Sequence, residues 1–324
     1  MSQFHIRRVA VLGAGVMGAQ IAAHLVNARI PVLLFDLPSS EGPDKSAIAN
    51  KAIAALTKMK PAPLGRASDA ALIQAANYDD HLSQLKTCDL VIEAIAERLD
   101  WKHALYEKIA PHLNADAILA TNTSGLSITA LGQPLSEALA AQFCGVHFFN
   151  PPRYMSLVEL IATPHTRPEV MDQLEAFVTA VLGKSAVRAK DTPNFIANRI
   201  GTAGLLATFV EAERYGLTFD VVDDLTGKKL GRASSGTFRT ADVVGLDTLA
   251  HVIRTLQDNL DASSDPFYPH FATPAVLQTL LEKGHLGQKV KKGFYQKRGR
   301  DVLRFDPEHG DYVPGGAKAD EVYA

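Results

Sequence analysis

The feature that most constrains this chain is a glycine turn near its start. Residues 8–12 form a short apolar run of strand type. Gly13-Ala14-Gly15-Val16-Met17-Gly18 follows, and residues 19–28 then carry Ile21, Leu25 and Ala28 on one helical face. A second apolar strand, residues 31–36, ends in Asp36. Strand, glycine turn, helix and strand in this order open a parallel, doubly wound sheet. The three glycines differ in what they permit. Gly13 makes the tight turn, Gly15 lets a pyrophosphate approach the backbone, and Gly18 lets helix and strand pack closely. Free N–H groups around Val16 and Met17, with the positive end of the helix, then face phosphates. Asp36 lies 18 residues after Gly18. An acid there accepts hydrogen bonds from a ribose 2′-hydroxyl and repels a 2′-phosphate. Leu37 follows, with no Arg nearby, so the expected cofactor is NAD and not NADP. The competing reading is a glycine turn without a ligand.

The alternation continues. Strand patterns are expected at residues 89–95, 117–121, 143–149, 157–161 and 185–189, and helical ones at 100–113, 127–131 and 168–182. A helical arm at about residues 44–77 interrupts it. There Ile48, Ala52, Ala55, Leu56 and Met59 share a face, Pro61 and Pro63 stop the helix, and a second short helix is expected over 69–76. After Lys190 the strand patterns cease. Thr192-Pro193 reads as a cap and first-turn proline for a helix reaching about residue 215, with further helices at 220–230, 240–260 and 274–283. The expected architecture is therefore a Rossmann-type, mostly parallel sheet domain over residues 1–190, a helical domain over 191–297, and an active site in the cleft between them. Residues 298–324 form a glycine-rich tail, read as a hairpin or as a link to a further C-terminal part.

Composition narrows the class. The 324 residues are 47% hydrophobic and 21% charged, and 33 Lys+Arg against 35 Asp+Glu leave a net charge of -2. That balance supports neither a nucleic-acid nor a membrane-surface partner, so an anionic ligand must be held by local chemistry. Cys88 and Cys144 sit in or beside apolar runs and read as buried thiols. No apolar run approaches membrane-spanning length, and the expected location is the cytoplasm. No metal site is expected.

Chemistry-bearing residues fall at strand ends. Asn122 and Ser124 follow one strand, where ligands of doubly wound sheets bind. Ser124 reads equally well as a helix N-cap. His147 lies among bulky apolar residues, which suits a hydrogen-bonded core histidine as well as a catalyst. Glu159, twelve residues on, sits inside another apolar strand and needs a partner. The two can satisfy each other across neighbouring strands, which would orient the ring for proton transfer or serve as a structural ion pair. Glu93 is a second acid in an apolar strand, either structural or lining the cofactor cleft. Asn198 stands on the first long helix after residue 190, with packing or solvent exposure as alternatives.

Six runs together resemble the L-3-hydroxyacyl-CoA dehydrogenases: Val-Leu-Gly-Ala-Gly-Val-Met-Gly, Thr-Asn-Thr-Ser-Gly-Leu, His-Phe-Phe-Asn-Pro-Pro, Leu-Val-Glu-Leu-Ile, Lys-Asp-Thr-Pro-Asn-Phe-Ile-Ala-Asn-Arg and Gly-Gln-Lys-Val-Lys-Lys-Gly-Phe-Tyr. They cover residues 8 to about 297 in the family's order. The resemblance implies that His147 is the catalytic base, Glu159 its orienting acid, and Ser124 and Asn198 the residues that hold the substrate's 3-oxygen. It implies cofactor contacts at Asp36, Glu97, Lys102 and Asn122. It also implies oxidation of a 3-hydroxyacyl-CoA by NAD. The family's CoA-contacting arm falls near Lys58 and Lys60, whose competing reading is a solvated lysine face. The stretch from Gly231 to Asp247 is similar to multifunctional β-oxidation proteins, which raises the expectation of an enoyl-CoA hydratase partner, covalent or separate, beside a homodimer through the C-terminal domain. The alternatives are a dehydrogenase of a small non-CoA hydroxy acid and a non-catalytic NAD-binding module.

Overall fold

The computed structural model describes residues 6–322. The chain divides into two compact units, Met1–Phe195 and Ile196–Ala324.

The first unit is built on eight strands: β1 (Val9–Leu12), β2 (Val32–Asp36), β3 (Ile73–Asn77), β4 (Leu90–Glu93), β5 (Ile118–Thr121), β6 (Phe143–Phe148), β7 (Leu157–Ala162) and β8 (Ser185–Ala189). Their order across the sheet is β3-β2-β1-β4-β5-β6-β7-β8. All neighbours are parallel except β6 and β7, so β7 and β8 run against the other six. Every residue of β1, β4, β5 and β6 is buried. That is why these strands read as continuous apolar runs: a sheet covered on both faces leaves no polar side. Alternate residues feed opposite faces. Val9 and Val11 join Ile21 and Leu25 of α1 (Val16–Asn27) in one core. Ala10 and Leu12 join the other core, with Leu105, Tyr106 and Ile109. α2 (Ala47–Leu56), α3 (Leu99–Ile109), α4 (Ile128–Gly132), α5 (Glu137–Ala140) and α6 (Pro168–Ala176) complete the layers.

Three local expectations are corrected. The helix expected over residues 69–76 is a 3₁₀ turn at Ala67–Leu72 followed by β3. The segment is rich in alanine and has helical propensity, but its backbone pairs with all five residues of β2, and that pairing prevails. The long helix expected from Thr192-Pro193 starts at Ala197, because Asn194 and Phe195 adopt positive φ angles of 58° and 49°. The single helix expected over 240–260 is split at Gly245, whose φ is 100°.

The second unit contains α7 (Ala197–Arg214), α8 (Phe219–Thr226), α9 (Phe238–Val244), α10 (Leu246–Asn259) and α11 (Ala275–Glu282), and a three-stranded antiparallel sheet of β9 (Tyr295–Arg298), β10 (Asp301–Asp306) and β11 (Asp311–Pro314). Its core is aromatic: the rings of Phe209, Phe219, Phe238 and Phe294 pack with centroids 4.5–5.6 Å apart. In the glycine-rich tail, β10 and β11 pair antiparallel. Phe305 is 1% exposed within this core. Beyond β11, the Asp220 carboxylate of α8 accepts hydrogen bonds from the N–H groups of Gly316 and Ala317, and Asp224 accepts one from Ala319. Asp242 is likewise buried, and its two carboxylate oxygens accept from Phe294 and Tyr295 N–H. A Cβ on Gly293 would collide with Asp242 Oδ1, so this carboxylate is one reason the Gly-Phe-Tyr run needs its glycine.

No helix among the described residues is long and apolar enough to cross a membrane. Cys88 and Cys144 are free and buried, and burial raises their thiol pKa values to about 11 and about 12.

Candidate active site

β1, β4, β5 and β6 are parallel neighbours, so their carboxyl ends share one edge of the sheet. The chain turns from β1 toward β2 on one side and returns to β4 on the other, which makes the β1–β4 crevice the switch point where such sheets take ligands. The sequence motifs of the first unit arrive at this edge.

The glycine turn follows β1. Gly13 has φ 103°, and a Cβ there would lie 2.9 Å from the Ala94 carbonyl oxygen. A Cβ on Gly18 would collide with the Gly13 carbonyl oxygen. Packing within the protein therefore requires both residues to be glycine. Gly15 differs: a Cβ there meets nothing within 4 Å, and its φ of -67° is ordinary. Open space over this N-cap, with no side chain capping α1, suits a phosphate group resting on the backbone N–H groups of Val16 and Met17. The residues present thus fit a dinucleotide. Asp36, at the end of β2, reaches back to the turn. Its Oδ2 accepts from Ala14 N–H at 2.6 Å and its Oδ1 from Leu37 N–H at 2.7 Å.

Beyond β4, several of the expected residues are engaged with the protein itself. Glu93 is fully buried; it accepts from Lys102 Nζ at 2.5 Å, Tyr106 Oη at 2.8 Å, Thr121 Oγ1 at 2.8 Å and Ile95 N–H at 2.7 Å. These four bonds satisfy the buried acid, as the structural reading of Glu93 requires. Lys102 is 1% exposed, and its ammonium also donates to the Ile95 carbonyl. Asn122 follows β5, and its Oδ1 accepts from Phe148 N–H at 2.9 Å, tying β5 to the end of β6. Exposed Glu97 accepts from Ser124 Oγ at 2.6 Å, Ser124 N–H at 2.7 Å and Gly125 N–H at 3.0 Å.

Ser124 is not the helix cap. Ser127 caps α4, accepting from Ala130 N–H at 3.2 Å. Asp191 supports the same terminus through Ser127 Oγ and the N–H groups of Ile128 and Thr129. Asp191 escapes a reading of the sequence, because its position 64 residues beyond Ser127 gives no local signal.

His147 and Glu159 are register partners on antiparallel β6 and β7. His147 Nδ1 lies 2.7 Å from Glu159 Oε2, with both side chains buried. The imidazole packs edge-on against Phe149 at 4.4 Å and Phe195 at 5.6 Å between centroids. Nε2 has no hydrogen-bond partner among the described residues. Lys184, which the sequence did not flag, is buried beneath the β6–β7 connection and donates to the carbonyls of Pro152 and Met155. Asn198 is half-buried near the start of α7. Lys58 and Lys60 are exposed, just beyond α2.

Comparison with known proteins agrees with this edge. Residues 8–192 match the model of the 3-hydroxyacyl-CoA dehydrogenase NAD binding domain, and residues 195–297 match that family's C-terminal domain. A probable 3-hydroxyacyl-CoA dehydrogenase of Bacillus subtilis is 42% identical over 94% of this chain, which spans 40% of that relative's length. One of Deinococcus radiodurans is 43% identical over 90% of this chain and 83% of its own. Among solved structures, FadB2 of M. tuberculosis superposes with a TM-score of 0.76 at 30% identity, over 90% of this chain and 99% of that one. The first unit is thus an NAD-binding Rossmann-type domain, and the chain belongs to the 3-hydroxyacyl-CoA dehydrogenase family.

Proposed function

We propose that the chain catalyses the reversible NAD-dependent oxidation of an (S)-3-hydroxyacyl-CoA to the 3-ketoacyl-CoA, in fatty-acid β-oxidation or related acyl-CoA metabolism. The observation that carries this reading is the His147–Glu159 pair. Nδ1 is held by the carboxylate, and Nε2 is left as the nitrogen that takes a proton. His147 accepts the 3-hydroxyl proton at Nε2. Glu159 fixes the ring's tautomer and balances the imidazolium that forms. Ser124 and Asn198 hold the 3-oxygen. Bound NAD would supply the acceptor for the hydride that leaves C3. The backbone of Gly15, Val16 and Met17 would hold its pyrophosphate and Asp36 its ribose, with Glu97, Lys102 and Asn122 as further contacts by family resemblance. The buried Lys102 acts from within, by holding Glu93 beneath the β4–α3 connection. Proton transfer of this kind contributes about 10²–10⁴-fold in rate, and orientation of the two reactants supplies the rest.

Lys58 and Lys60 are assigned to the CoA phosphates. A homodimer through the second unit is supported by exposed apolar residues there, among them Ile200, Leu230 and Val243. Relatives from Rickettsia named as putative fatty acid oxidation complex trifunctional enzymes, of whose length this chain spans 41%, support an enoyl-CoA hydratase partner. The cytoplasm is the proposed location. The direct test is reduction of acetoacetyl-CoA by NADH, monitored as loss of NADH absorbance. Turnover of free acetoacetate in its place would favour a small hydroxy acid, and turnover of neither would overturn the reading.

A further inference from the structure

The loop after β5 holds a conflict over one hydrogen. A serine hydroxyl has a single proton to donate. Ser124 gives it to Glu97, across 2.6 Å, in the short range of hydroxyl–carboxylate bonds. Under the function proposed above, on which this inference rests, the same hydroxyl must serve the 3-oxygen of the substrate. That oxygen arrives either as a carbonyl, which only accepts, or as a hydroxyl whose one proton is directed to His147. In both states it needs Ser124 as a donor.

We propose that Glu97 is a positioning residue that parks the Ser124 proton, and that the substrate oxygen binds by winning it. Three bonds make this switch workable. Glu97 also accepts from the N–H groups of Ser124 and Gly125, at 2.7 and 3.0 Å. The backbone of the loop therefore stays fixed when the hydroxyl rotates away. One side chain thus anchors the loop through two donors and competes with substrate through the third. The competition opposes binding of the substrate oxygen, so it raises the Michaelis constant. A neutral acceptor in place of the carboxylate grips the hydroxyl less strongly.

A double-mutant cycle between Glu97→Gln and Ser124→Ala separates this from simple loop support, because Ser124→Ala removes the hydroxyl and leaves both N–H donors in place. The readout is the Michaelis constant for acetoacetyl-CoA at saturating NADH. Glu97→Gln takes the acceptor from one backbone N–H in both backgrounds, and beyond that shared effect it should lower the Michaelis constant about three- to ten-fold only when Ser124 is present. NADH affinity, measured directly by fluorescence, separates any cofactor effect, which would appear in both backgrounds. Glu97 is exposed, and thermal melting of all four proteins checks that each is folded. An equal effect of Glu97→Gln in both backgrounds overturns the inference while the proposed function stands. A wild-type enzyme inert toward acetoacetyl-CoA overturns both.

Discussion

His147 and Glu159 face each other as register partners across the antiparallel junction of the sheet, Nδ1 to Oε2 at 2.7 Å. The junction matters because a side chain on one strand meets its direct neighbour on the next without help from any loop. His147→Gln should lower turnover about 10²–10⁴-fold with NADH affinity nearly unchanged, since the ring is assigned to proton transfer. Glu159→Gln should cost about ten-fold or more by leaving the imidazolium without its counter-charge. Steady-state rates and NADH fluorescence titration check both. A His147→Gln enzyme retaining more than about a tenth of the wild-type rate would remove the residue from the chemistry.

Asp36 carries a prediction about cofactor choice. Replacing it by Ser and Leu37 by Arg removes a repelling carboxylate and supplies a cation for a 2′-phosphate. Preference should move toward NADPH by about 10²-fold, as expected for reversing one close charge contact. The Ala14 and Leu37 N–H groups lose their acceptor in the same variant, so absolute affinity for both cofactors should fall. Dissociation constants for NADH and NADPH measure each effect. A wild type that already binds NADPH as tightly as NADH contradicts the role given to Asp36.

The arm supplies a third. Lys58→Ala with Lys60→Ala should raise the Michaelis constant for acetoacetyl-CoA several-fold and leave turnover of a short pantetheine-type thioester untouched. Contacts to remote phosphates bind ground and transition states alike. Both lysines are exposed, so the effect should fade as salt is added. No change at low salt would return both to a solvated face.

His24 predicts how the first unit answers acid. Its Nε2 meets the Leu182 carbonyl at 3.2 Å, and its Nδ1 is buried with no partner. Burial, then the nearby Lys184, lowers its pKa to about 4 from an ordinary 6.5, with Arg153 adding a smaller push. The folded chain therefore resists protonation. Stability from this group is complete above pH 6.5 and is lost as pH falls toward 4. His24→Gln keeps a donor for Leu182 and cannot titrate. Between about pH 6.5 and about pH 4.5 the wild type should lose about 2–3 kcal/mol more than the variant, read by denaturant unfolding. Parallel pH profiles would contradict this.

Asp242 predicts the opposite sense in the second unit. Burial raises its pKa to about 6 from 3.8, although Phe294 and Tyr295 N–H favour the charged form. The folded state then binds the proton more tightly than the unfolded chain. Stability from this group is complete below pH 3.8 and is lost as pH rises through 6. Unfolding followed at the second unit should therefore show a gain between about pH 7 and about pH 5. Asp242→Asn should remove that gain, at a lower overall stability because one of the two N–H groups loses its acceptor. A variant that keeps the wild-type slope would assign the effect elsewhere.

The sequence was most legible where a pattern has one physical cause. A single acid inside an apolar strand must find a partner, and Glu159 and His147 were recognisable for that reason. The glycine turn was legible because each glycine answers a separate steric demand. Legibility failed where two causes compete. Residues 69–76 carry helical propensity yet lie beside β2, and only the sheet's neighbours decide the outcome. Ser124 read as a possible cap from its place before α4, whereas Ser127, three residues on, takes that role. Lys184 and Asp191 act on backbone groups tens of residues away, which no local pattern records.

The second unit is closed by residues that follow helices α7–α11 in the chain. Phe305 fills its aromatic core, and Asp220 and Asp224 await the backbone of Gly316, Ala317 and Ala319. During synthesis the first unit has its whole sheet in hand by Ala189. The second reaches its helices early but lacks the plug for its core until β10 has emerged. A chain cut between β9 and β10 therefore keeps every strand of the first unit's sheet and loses the ring that plugs the second unit's aromatic core.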